Sequence, residues 1–175
     1  MPEIEGGAAP AAEVGESLWR FSLALYARPE VATALIGLQE RGGRDVMLIL
    51  FLAWCGAVRG RVLSAADLAT AREASAALRD GVVAPLRRER RRLKDSPDAE
   101  ARVLRWRIAA LELAAERRVA DRLAAAGARL GRSPGRDEDA VAANLSRYLG
   151  REWMASREGA ILRGALTALG RLPPS

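Results

Sequence analysis

The chain has no histidine, one cysteine, one lysine and only eight aromatic residues, and each scarcity removes a class of chemistry. Without imidazole there is no His-based triad, no His metal ligand and no side chain whose unperturbed pKa lies near neutrality. Cys55 has no second cysteine to pair with, which fits a reducing compartment. It also sits inside an apolar run, where a thiol is inert. No glycine-rich phosphate loop occurs, and the carboxylates are scattered among arginines in a way that favours solvated ion pairs over a raised-pKa acid. The expectation is a non-enzyme with no catalytic residues, no metal and no cofactor.

Other absences bound the architecture. No segment shows the apolar–polar alternation of a strand, and there is no internal repeat. The longest apolar run, Val46–Val58, has thirteen residues, short of the roughly twenty that span a bilayer. The first sixteen residues carry Glu3, Glu5, Glu13 and Glu16 and no basic side chain, the reverse of a secretory signal. A cytoplasmic protein with no membrane span is expected.

What is present is a 175-residue chain, half of it apolar, sufficient for one domain with a core. With so few aromatics that core must be Leu, Val and Ala, which suits helices packed on helices. Of the 28 bases all but Lys94 are arginine, within a net charge of +6. Guanidinium prefers planar anionic partners. A GC-rich genome, which favours Arg and Ala codons, accounts for the same skew.

Residues 1–16 read as a mobile tail, with Ser17 as the first N-cap. Leu18, Phe21, Ser22 and Leu25 form one amphipathic stripe; Pro29 opens a second helix that Gly42-Gly43 ends. Asp45 caps a helix from Val46 to about Ala57 that is apolar on every face, as the centre of a bundle is. Ser64 and Asp67 form a capping box for a helix whose seam is Leu68, Ala71, Ser75, Leu78 and Val82, with a bend expected at Pro85. Ser96-Pro97-Asp98 starts a further helix, with Ser96 as N-cap, a seam of Leu104, Ile108, Leu111, Ala115 and Val119, and an end at Gly127. The short connection predicts an antiparallel hairpin over about 64–127, each arm about 45 Å long. Residues 131–175 read as a linker, Gly131–Gly135, and a helical extension striped by Val141, Leu145 and Tyr148, then Ile161, Ala165 and Leu169. The predicted fold is all-α: a helical bundle of five to seven helices, with an N-terminal trio, the hairpin within a domain of 17–130, and the extension.

Leu18–Tyr26 (LWRFSLALY), Pro29, Gln39, Gly43–Leu50 (GRDVMLIL), Ala53–Gly56 (AWCG) and Val82–Lys94 (VVAPLRRERRRLK) carry a resemblance. Together they resemble a family of small, uncharacterised proteobacterial proteins that opens on an LWxFSLxxY motif, over roughly 17–125. The resemblance implies a helical fold and no catalytic residues.

Two clusters are candidate sites. The run Arg87-Arg88-Glu89-Arg90-Arg91-Arg92-Leu93-Lys94 holds six bases and one acid. Its bases cover an arc of about 200° on a helix, a surface for phosphates or for a partner. Alternatively it is a solvated tip answered by Asp95, Asp98 and Glu100, and no aromatic is interleaved to stack on bases. Trp19, Ser22, Tyr26, Gln39, Asp45 and Trp54 could line a small-molecule pocket, or be ordinary caps and core aromatics. Trp106 and Trp153 are expected to pack the extension onto the hairpin; an exposed one would be an anchor for a partner. The leading reading is a protein-interaction module with the hairpin as its arm, its protein partner unidentified and homo-oligomerisation left open. Nucleic-acid binding through the arginine run is the alternative, and a small-ligand protein the third.

Overall fold

The computed structural model of the protein describes residues 11–130 and 138–170, and among them every regular element is helical. Residues 1–10 of the expected 1–16 tail, the expected linker Gly131–Gly135 and the closing prolines at 173 and 174 lie outside the described residues. No helix is long and apolar enough to cross a membrane.

Helix α1 (Ala11–Tyr26) starts six residues before the expected cap at Ser17, because Val14 extends the stripe of Leu18 and Leu25 one turn back and is buried with them. Helix α2 (Pro29–Gly42) opens on Pro29 and ends at Gly43, whose φ of 60° is the left-handed conformation that glycine adopts without strain. Helix α3 (Val46–Ala57) is capped by Asp45, whose side chain accepts a hydrogen bond from the Leu48 N–H, and is buried from Leu48 through Gly56.

The Ser64–Asp67 capping box starts α4 (Ala65–Leu78), which runs without a break through a π-helical turn, Arg79–Val83, into α5 (Ala84–Arg92). Pro85 has no N–H to donate, and the disturbance it imposes takes the form of this wider turn rather than a simple bend. The turn also inserts one residue into the seam. Val83 is therefore buried, whereas Val82, the expected seam residue, is exposed.

Helix α6 (Ala99–Ala128) is capped by Asp98 rather than Ser96: the Asp98 carboxylate accepts from the Glu100 N–H, and Ser96-Pro97 belong to the preceding turn. Thirty residues make it about 45 Å long. Its expected seam is only partly realised. Val119 is buried, but Leu104 and Leu111 are exposed. The reason is coverage: α1 and α3 meet α6 at Arg117, Asp121 and Gly127, towards its C-terminal end, while α5, a helix with no buried residue, is tied to it at Glu112.

Helices α7 (Glu138–Leu149) and α8 (Arg157–Gly170) dock on α3 and α2 rather than on α4–α6. Gly56 makes the α3–α7 approach possible, since a Cβ there would lie 2.6 Å from the Val141 backbone nitrogen. Trp153, in the 3-10 turn between α7 and α8, is buried and donates to the Ser146 hydroxyl at 3.1 Å.

Candidate binding cleft

The two candidate clusters, separate in sequence, meet across one open cleft of about 940 Å³. One wall is α1, with Trp19, Ser22, Leu23 and Tyr26, joined by Gln39 of α2 and the start of α3 at Asp45. The opposite wall is the α4–α5 arm, with Arg72, Arg79, Arg87, Arg88, Arg90 and Arg91. The floor is α6, through Arg105, Trp106, Glu112, Leu113 and Glu116. Helical spacing builds that floor: residues 106, 109, 113 and 116 stand three or four apart on one face of α6.

Five of the six pocket candidates line the cleft. Trp19 has the Arg117 guanidinium 5.1 Å from its ring centroid, and the Ser22 hydroxyl is spent on the Leu18 carbonyl at 2.9 Å. The Tyr26 hydroxyl is pushed up to about 12, first by burial and then by Glu116. Trp54 is the exception: it is a core residue, 1% exposed, and its indole N–H donates to Ser17 at 3.3 Å. Cys55 beside it is buried, and burial pushes its thiol up to about 12, far from a reactive thiolate.

The arginine run is not the continuous cationic surface its sequence suggests. Arg87 Nε donates to Glu112 at 2.9 Å and its Nη2 to Glu116, while Arg90 grips both oxygens of Glu112. Arg91 lies 3.5 Å from Glu40 on α2, and Arg92 pairs with Glu89 on its own helix. Arg88 lines the cleft and Lys94 stands outside it, both exposed and without an ion pair among the described residues. The answering acids are thus Glu40, Glu89, Glu112 and Glu116, not Asp95, Asp98 and Glu100. Those three flank the turn at the start of α6, where the Asp98 carboxylate is occupied as the cap.

Several cleft residues escape a reading of the sequence. Arg79 lies 3.6 Å from Asp45, and the Tyr148 hydroxyl accepts from the Asp45 N–H at 3.0 Å, which brings α7 to the rim. Arg44, with its guanidinium 5.7 Å from the Tyr148 ring, completes that corner. Trp106 is 74% exposed on the cleft floor instead of packing the extension, which overturns its expected role, and Leu23, Ile36 and Leu113 are also exposed in the lining. Eight arginines and four acids line the cleft, so its field is net positive.

The two glutamates on the floor titrate in opposite directions. Burial pushes Glu112 upward, but the hydrogen bonds from Arg90 and Arg87 outweigh it and hold the carboxyl below its usual value. For Glu116 burial prevails over Arg87, and the carboxyl lies above the usual 4.5. A raised acid favours the protonated fold, so its contribution to stability is present at low pH and lost as pH rises through the folded value. In urea titrations from pH 4 to 8, Glu116→Gln is expected to gain stability relative to wild type as pH rises through the window above 4.5. A pH-independent difference would place Glu116 in water.

Residues 17–123 match the family described as Protein of unknown function (DUF2390). The chain belongs to this family. The DUF2390 match takes in most of α1, all of α2–α5 and most of α6, and with them every residue lining the cleft except Tyr148. Helices α7 and α8 lie beyond it. No curated protein and no solved structure matches the chain.

Proposed function

We propose that the protein is a non-enzymatic interaction module whose cleft receives an acidic, amphipathic segment of a partner protein in the cytoplasm. The observation that carries this reading is the lining: an excess of arginine over acid beside four exposed apolar side chains, Leu23, Ile36, Trp106 and Leu113. Guanidinium forks suit carboxylates, and large aliphatic side chains with an exposed indole suit the apolar stripe of a helix. The four acids among the arginines reduce the number of phosphates the cleft can neutralise, which disfavours a uniformly charged backbone relative to a segment whose carboxylates are spaced along one face. The openness of the cleft disfavours a small ligand, which is ordinarily enclosed on most sides.

The test is fluorescence anisotropy of a labelled model helix of glutamate and leucine against the full chain, beside a labelled single-stranded oligonucleotide. Wild type is expected to bind the peptide, with Arg88→Glu and Trp106→Ala each weakening it about tenfold, or about 1.4 kcal/mol. Both residues are exposed, so the variants should retain the fold. Preference for the oligonucleotide would transfer the site to nucleic acid, and binding of neither at physiological salt would overturn the reading.

A further inference from the structure

Besides the four acids of its lining, a carboxylate from outside the cleft meets one of its arginines at the edge. Glu40, in the last turn of α2, reaches Arg91 on α5 at 3.5 Å, linking two walls that otherwise hardly touch. Both side chains are about half exposed, at 48% for Arg91 and 56% for Glu40. The pair is therefore weak and readily exchanged. The second link across the cleft differs. Asp45, which faces Arg79 at 3.6 Å, is less exposed and also caps α3, so it is held in place by the fold. Arg91 lines the cleft and has no other ion-pair partner among the described residues.

We infer that Glu40 is an internal competitor for the cleft: it occupies Arg91 in the free protein and is displaced by a carboxylate of the incoming acidic segment. The inference rests on the reading of the cleft as a site for an acidic partner, and it specifies how affinity for that partner is set. Such a competitor lowers affinity for every acidic segment and penalises most those that cannot place a carboxylate on Arg91. It also keeps the unoccupied walls linked.

The decisive experiment measures the affinity of the glutamate–leucine peptide for full-length wild type, Glu40→Gln, Arg91→Gln and the double variant, with Glu30→Gln as a control. Glu30 lies in the first turn of α2, so its variant changes the net charge equally without touching Arg91. Glu40→Gln is expected to tighten binding about two- to fivefold, Glu30→Gln to do less, and the gain to vanish when Arg91 is already Gln. Measurable binding with equal affinity in wild type and Glu40→Gln overturns the competitor and leaves the cleft reading standing. Equal tightening by Glu30→Gln also overturns it, since net charge alone would then be responsible. Absence of peptide binding in all forms overturns the cleft reading, and the competitor with it.

Discussion

Glu112→Ala is expected to lower the stability of the protein by about 2–4 kcal/mol, although alanine is the better helix former. Glu112 is 5% exposed in the middle of α6 and accepts hydrogen bonds from Arg87 and Arg90. Truncation leaves Arg90, which is partly buried, without its carboxylate, and Arg87 with Glu116 alone. Helix α5 contributes no buried residue, so these ion pairs are a main tie between it and α6. Urea unfolding followed by far-UV circular dichroism measures the loss, and hydrogen exchange should place the new opening in α5. The triple change Glu112→Leu, Arg87→Met and Arg90→Met should recover most of it, because an apolar cluster replaces an ionic one at little net cost. A loss under about 1 kcal/mol for Glu112→Ala would mean that water already screens the cluster.

Asn144→Ala should cost about 2–4 kcal/mol by a different route. Asn144 is fully buried on α7. Its oxygen accepts from the Leu63 N–H at 2.7 Å, and its amide donates to the carbonyls of Leu52 and Arg61 at 3.2 and 2.8 Å. One side chain thus ties α7 to α3 and to the loop that leads into the Ser64 cap. Removing it leaves the Leu63 N–H donor and two carbonyl acceptors without this partner. Urea unfolding followed by tryptophan fluorescence, with Trp54 in the core and Trp153 in the extension, should show one transition shifted to lower denaturant. An unshifted midpoint would mean that the extension contributes nothing to global stability, against its burial of α3.

The features legible in the sequence are those decided within a few residues. Asp45 and the Ser64–Asp67 box lie beside the N–H groups they satisfy, and an apolar run such as α3 admits only burial. The cleft is legible only in its parts. Arg87 and Glu112 are 25 residues apart and Arg91 and Glu40 are 51 apart, so no local pattern shows that the basic run and the Trp19–Asp45 cluster face each other. The π turn shifts a seam by one residue for reasons that depend on packing against α6 as well as on Pro85. Four tryptophans look alike in sequence, but Trp54 is packed against Ser17 of α1 and Gly127 of α6, whereas Trp106, nearer the start of α6, is left bare. Leu104 and Leu111 satisfy a helical period for the same reason without finding a partner.

The contact between Gly56 and the backbone of Val141 joins residues 85 positions apart, and that separation is also a delay. A ribosome adding about 5–20 residues per second needs roughly 4–17 s to carry the chain from one to the other. Hydrophobic collapse of a chain this size takes on the order of 10–100 μs. During synthesis the most apolar helix of the protein therefore emerges, and has time to collapse many times over, before the helix that covers it exists. Whatever shields that face of α3 in the interval, a non-native packing of α4–α6 or a chaperone, must be weak enough to yield to α7 when it arrives.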